Sequence, residues 1–240
     1  WIKLKAHCNL RWNNTNEVEY MGVTKTDFMR GMQCPRMLWL DKHHPELKVI
    51  PPEVQARLDA GNEFGDKAMG MFGPFVETTT YKADGKLDYN AMLQKTKECI
   101  EEKVPVICEA AMMFYGNYCA LDILRKNGAG WDIYEVKNSS SVEEQFIKDI
   151  SFQKYIAYKC GLKIIDCYIV YHGSNEESPF EIEKVTDRVR QNYRYIDDNI
   201  WRLGKVKACT EEVLEETGEH CERPYRCWYW DTCHKNEIIQ

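Results

Sequence analysis

Three ionisable residues stand where a metal-assisted hydrolysis would need them: Asp122 inside an apolar run, then Glu135 and Lys137 two positions apart after an intervening turn. Side chains alternate along a strand, so Glu135 and Lys137 project from one face and Val136 from the other. If the segments carrying Asp122 and Glu135 pair, two carboxylates converge at a sheet surface and repel each other unless a cation lies between them. Mg2+ suits that position, because it binds through one or two carboxylates and keeps water and substrate phosphates as its other ligands. A lysine beside the cation can orient a metal-activated water and stabilise charge building on a phosphate. That is the chemistry of phosphodiester hydrolysis. The same spacing also fits a hairpin surface of cross-strand ion pairs. The surroundings favour the first reading. Asp122 lies in an apolar run, where an uncompensated charge is costly, and Glu135 follows Trp131 and Ile133.

The cysteines form a second set. There are eleven, an odd number that complete internal disulfide pairing cannot accommodate. Cys99, Cys108, Cys119, Cys160 and Cys167 sit in apolar runs and read as small core hydrophobes. Cys221, Cys227 and Cys233 are different: five residues separate each from the next, and Pro224, Tyr225, Trp228, Tyr229 and Trp230 lie between them. Three thiolates in a short aromatic loop read as metal ligands. His220 or His234 could supply the fourth position of a tetrahedral Zn2+ site, although the gaps are wider than the tight pairs of common zinc modules. Disulfides or free thiols are the remaining readings.

The elements that must position these groups follow from periodicity and punctuation. Residues 24–41 read as a helical region capped by Thr24 with Asp27 and interrupted at Pro35, which leaves Cys34 at a helix end. Helices are expected at 53–71 and 88–103. The period then changes: strands at 106–114, 118–125 and 131–137, joined by turns at Gly116-Asn117 and at residues 127–130, make an antiparallel meander. Ser141 with Glu144 forms a capping box that starts a helix running to Cys160, and Gly161 ends it. A buried strand at 164–171, another at 180–185 and a charged amphipathic helix at 187–203 complete the core. The expected fold is therefore α/β, a mixed sheet flanked by helices.

Bulk properties set the frame. With 240 residues and 44% hydrophobic content, the chain can build one sizeable core. The net charge of −6 is acidic for a nucleic-acid binder, but a protein that collects carboxylates for metal ions can still carry a local basic groove. No run approaches the roughly 18–20 apolar residues of a membrane helix. Residues 1–21 are polar and mixed, without the apolar core of a signal peptide, so a cytoplasmic protein with no membrane partner is expected.

Asp122, a hairpin and Glu135-Val136-Lys137 resemble the signature of the PD-(D/E)XK nuclease superfamily. The run Asp149-Ile150-Ser151-Phe152-Gln153-Lys154-Tyr155 looks like the glutamine–tyrosine helix of its RecB-like exonuclease branch. Thr26-Asp27-Phe28, Gln33-Cys34-Pro35 and the terminal cysteines resemble the four-cysteine members: the CRISPR-associated exonucleases, the AddB nuclease domain and a bacterial RecB-like group. The match spans about residues 25–234.

The resemblance implies a restriction-endonuclease-like core, about residues 75–205, within one nuclease domain at 23–240 that follows a polar extension at 1–22. Asp122, Glu135 and the Val136 carbonyl would hold Mg2+ or Mn2+, with Lys137 catalytic and Gln153 positioning substrate or lysine. Glu63, in Gly61-Asn62-Glu63-Phe64-Gly65, stands where the family often has a metal-binding His. Ala157 occupies the family's tyrosine position, which leaves Tyr155 and Tyr158 as substrate contacts, together with Arg36. Cys34 would join Cys221, Cys227 and Cys233 around a 4Fe–4S cluster, a clasp between residue 34 and residues 209–234; preparation in air can strip such a cluster and leave a disulfide behind. The implied activity is metal-dependent exonucleolytic hydrolysis of DNA, on single-stranded ends, in repair, recombination or defence, with a helicase or other repair protein as partner. The alternative is a non-hydrolytic module of the same fold that grips DNA ends or a partner.

Overall fold

The computed structural model describes residues 20–175 and 177–234. By packing, the described residues divide into two compact units, one of residues 52–196 and one of residues 20–51 with 197–234.

The larger unit is built on a six-stranded mixed sheet flanked by helices, with strand order β1-β2-β3-β4-β5-β6. Its elements are α3 (Pro52–Met69), β1 (Val76–Glu77), α4 (Tyr89–Glu101), β2 (Val106–Phe114), β3 (Asn117–Asn127), β4 (Gly130–Val136), α5 (Glu144–Lys159), β5 (Ile164–Asn175), β6 (Ser178–Lys184) and α6 (Thr186–Gln191). β2, β3 and β4 form the expected antiparallel meander. β1 pairs with β2, and β5 with β4, in parallel, the first pair joined by a crossover through α4 and the second by one through α5. Ala68 of α3 packs against Cys108, Ile123, Tyr134 and Val170 on one face. α5 covers the opposite face, from which Glu135 projects. α4 is capped by Asp88, whose side chain accepts from the Ala91 N–H, and its buried Thr96 hydroxyl takes the Ala111 N–H at 2.9 Å.

Several boundaries differ from the sequence expectation. α5 starts at Glu144 with Glu143 as an N-cap that makes no side-chain cap bond. Ser141 is instead held in a turn with Ser139, whose hydroxyl bonds the Ser141 backbone, so the serine chemistry closes a loop rather than a capping box. The expected charged helix is broken at Asn192 into α6 and α7 (Tyr193–Ala208), which spans the unit boundary in sequence. The turn between β2 and β3 is Tyr115-Gly116, one residue earlier than expected, with both residues at positive φ. A tyrosine in the left-handed region costs about 1–2 kcal/mol. Gly130 starts β4 where a Cβ would stand 2.6 Å from the Lys163 carbonyl, so only glycine lets β4 lie this close to the loop before β5.

The smaller unit holds α1 (Lys25–Gln33) and α2 (Pro35–His43), together with the C-terminal segment that ends in α8 (Trp230–Cys233). The Thr24–Asp27 capping box forms as expected, and Cys34 breaks the two helices with Pro35 opening α2. Residues 20–51 and 197–234 are stitched together here. The Gln33 amide donates to the His220 and Tyr225 carbonyls, and the Trp39 indole to the Cys209 carbonyl. The buried Arg30 pairs with Asp41 at 2.9 Å and lies 4.1 Å from the Trp228 ring centre, while the Tyr229 hydroxyl donates to Asp41 at 2.8 Å. No helix among the described residues is long and apolar enough to cross a membrane.

Candidate active site

The β3–β4 ladder ends at the Ile123–Tyr134 pair. One step beyond, Asp122 stands opposite Glu135. Where β3 would have supplied a ladder carbonyl, the Asp122 carboxylate takes the Val136 N–H at 2.8 Å. A strand residue's N–H and C=O leave on the same side, so the Val136 carbonyl faces the same wedge. On the other side of Asp122, Glu109 lies between the Cys108–Ile123 and Ala110–Leu121 pairs and adopts φ +53°. Its carbonyl is held by the Thr78 hydroxyl. Glu77 on β1 pairs beside Cys108. These four carboxylates sit on four neighbouring strands, with Glu77 on the face of its partner Cys108 and Glu135 on the opposite face, toward α5. Their field is felt at the buried Cys108 thiol: burial first, then the charges of Glu109, Glu77 and Asp122, push its pKa up to about 12.

Glu135 is 1% exposed, so it is no surface ion pair. One carboxylate oxygen meets Lys137 Nζ at 2.6 Å, and the other accepts from the Gln153 amide. Lys137 also meets Asp149 at 2.5 Å. Asp149 and Gln153 are four residues apart on α5 and therefore share the helix face turned to β4. Asp149 is the functional candidate that sequence reading missed. Its signal was available, since the spacing to Gln153 places any partner of one within reach of the other. Gln153 is fully buried, and its Oε1 has no hydrogen-bond partner among the described residues. A buried amide oxygen without a donor is costly unless a ligand supplies the contact. Asp132, also buried in β4, is by contrast satisfied by the Asn127 amide and the Asp166 N–H, and reads as a structural carboxylate.

The remaining expected residues are placed as follows. Glu63 is exposed on α3, the helix on the opposite face from α5. Tyr155 is 2% exposed, its ring 5.4 Å from that of Tyr193, whereas Tyr158 is 60% exposed. Arg36 lies in the smaller unit, paired with Glu212 at 2.6 Å and 3.5 Å from Cys233 Sγ.

Cys34, Cys221, Cys227 and Cys233 all line one cavity of that smaller unit, and all four are free thiols. The α2 N-terminus points its Met37 and Arg36 N–H groups at Cys34, but burial outweighs them and, with the charge of Cys227, holds the thiol up at about 12. Cys227 and Cys233 are also raised, burial being the main cause for both. His220 Nε2 is 3.7 Å from Cys221 Sγ, and His234 is buried and stacked on Trp230 at 3.7 Å. Among the described residues, no group of three or more His, Cys, Asp or Glu side chains is placed to hold a metal ion.

Compared with known proteins, the chain matches no family model and no curated protein. Among solved structures, LHK-Exo in complex with dAMP aligns at a TM-score of 0.43 and 12% identity, covering 76% of this chain and 85% of that one. The structure of SSO0001 aligns at a TM-score of 0.34 and 12% identity, covering 76% and 79% respectively.

Proposed function

We propose that the chain is a Mg2+- or Mn2+-dependent deoxyribonuclease acting as an exonuclease on DNA ends. The observation that carries this reading is the wedge: Asp122 on the Val136 N–H, with Glu135 and Lys137 emerging beside it and backed by Gln153 and Asp149. A hard divalent cation takes oxygen ligands and accepts one or two carboxylates, completing its shell with carbonyls, water and phosphate. The donors present fit that description: Asp122, Glu135 and the Val136 carbonyl. When bound there, the ion would lower the pKa of an attacking water and neutralise phosphate charge. Lys137 holds a positive charge at the site and can donate a proton from Nζ toward the oxygen that leaves. Gln153 donates to one Glu135 oxygen and would hold that carboxylate in place beside the wedge. In the smaller unit, the four thiols are a donor set suited to a 4Fe–4S cluster or Zn2+.

Purified protein incubated with end-labelled single-stranded and duplex DNA should release nucleotides in Mn2+ and not in EDTA, and circular single strands should resist. Absence of cleavage above the EDTA control sinks the proposal.

Asp149 acts through Lys137 and is a positioning residue. Asp149→Asn is expected to lower kcat about 10–100-fold, the usual cost of losing a group that orients a metal-site residue. KM should stay near its original value, and Asp149→Glu should restore part of the rate. A change confined to KM would remove Asp149 from this role.

A further inference from the structure

Between the tip of the β2–β3 hairpin and the C-terminal end of α5, aromatic rings surround one ammonium group. Lys159 Nζ lies 5.1 Å from the Tyr155 ring centre, 5.8 Å from that of Phe114 and 5.9 Å from that of Tyr193. Tyr193 meets Tyr158 edge-on at 5.9 Å, and Phe114 meets Tyr115 edge-on at 4.7 Å. Tyr155 is the buried floor of this cluster. Its outer rings face solvent: Tyr115 is 75% exposed, Tyr158 60% and Tyr193 42%.

Tyr115 is the telling member. A two-residue turn with both positions at positive φ suits Asn-Gly, and Gly116 meets the demand at the second position without strain. Tyrosine at the first position does not, and a ring three-quarters exposed gains little burial in return. A strained backbone that holds a large ring out in water suggests that the ring has a contact to make there. The chemistry around it narrows the choice of contact. Exposed rings offer stacking faces, and the cation among them complements an anionic backbone. Unpaired nucleotides present both features at once, whereas a duplex covers its base faces by its own stacking.

We propose that Tyr115, Tyr158, Tyr193 and Lys159 form a binding surface for single-stranded DNA, with the rings stacking on bases and the ammonium taking a phosphate between them. Because every base has a π face, the surface would bind with little sequence preference. The choice of DNA rests on the nuclease reading. Lys159 follows Gln153 by six residues, about 9 Å along the same helix, so this surface and the acidic wedge share one element.

The test is binding in EDTA, where no cleavage intrudes. Fluorescence anisotropy with a labelled oligothymidylate should show tighter binding than with a blunt duplex. Tyr115→Asn should lower that affinity about tenfold, a loss typical of one stacked base, while leaving thermal stability unchanged or raised because asparagine suits the turn. Lys159→Gln should weaken binding and flatten its salt dependence. Equal binding by the original chain, Tyr115→Asn, Tyr158→Ser and Lys159→Gln would overturn the proposal, as would a preference for the blunt duplex. Cleavage by the original chain in Mn2+ is scored separately. A protein that cuts DNA but binds indifferently to these substitutions keeps the nuclease and loses this surface, and one that binds through them without cutting does the reverse.

Discussion

Glu135→Gln is expected to reduce metal-dependent cleavage by at least about a hundredfold, the scale of losing one group that stabilises transition-state charge, while the protein stays folded. The geometry separates the two effects. Glu135 is buried, with one oxygen on Lys137 and the other on Gln153. The amide isostere retains an oxygen for Lys137, and Lys137 retains Asp149. Its new NH2 group finds an acceptor ready, because Gln153 Oε1 lacks a partner among the described residues and the Gln153 amide can turn to present it. What disappears is the negative charge that would hold a cation in the wedge. Lys137→Met is a poorer probe. It leaves Glu135 and Asp149 as buried anions without their cation, a change of the kind that costs about 3–5 kcal/mol. Its lost activity would therefore be mixed with lost structure, which a urea midpoint would reveal. Cleavage by Glu135→Gln within severalfold of the original rate, with an unchanged urea midpoint, would remove Glu135 from the chemistry.

The strands that carry this centre were legible because they alternate, are long and are joined by short turns. β2, β3 and β4 lie within a few residues of their expected bounds. Elements held mainly by tertiary pairing were not legible. β1 is only Val76–Glu77, too short to show a period, and exists because Val76 pairs with Ile107. The start of α5 was misread because a serine hydroxyl serves a loop turn as well as a helix cap, and only the surrounding backbone decides between them. The single charged helix expected after β6 is two, since Asn192 ends α6 with its side-chain amide on the Ser151 hydroxyl, a contact no local pattern encodes. In the site itself, Asp122, Glu135 and Lys137 were visible as types at a spacing, whereas the burial of Glu135 and the clamp of Asp149 on Lys137 depend on how α5 crosses the sheet. The placement of Glu63 shows the converse: a residue chosen by its place in a motif lies on α3, on the face away from α5.

Loading of the cysteine cavity should depend steeply on pH. Metal-bound cysteine is a thiolate. Cys34 is held up at about 12, and Cys227 and Cys233 are raised in the same direction, burial being the first cause for each. All three are therefore thiols at neutral pH in the free protein, and each metal–sulfur bond they form releases one proton. The sign follows directly: affinity rises with pH and is lost as pH falls, by about tenfold per pH unit for each proton released. Because an ion bound to the folded state stabilises it by mass action, the added stability should fade in the same direction. Co2+ is a convenient probe, since thiolate ligation gives it an intense charge-transfer absorption. Anaerobic, reduced protein titrated with Co2+ at several pH values between about 6.5 and 7.5 should show this slope, and Cys34→Ser should reduce it by one proton. The Arg36 guanidinium, 3.5 Å from Cys233 Sγ, lowers the Cys233 pKa against the effect of burial, so Arg36→Ala should weaken loading at every pH. A flat pH profile, or Cys34→Ser binding indistinguishable from the original, would show that the four thiols do not act as one metal site. The zinc and iron–sulfur readings share this proton release; they part at the metal itself, where iron and a brown anaerobic preparation would decide for the cluster.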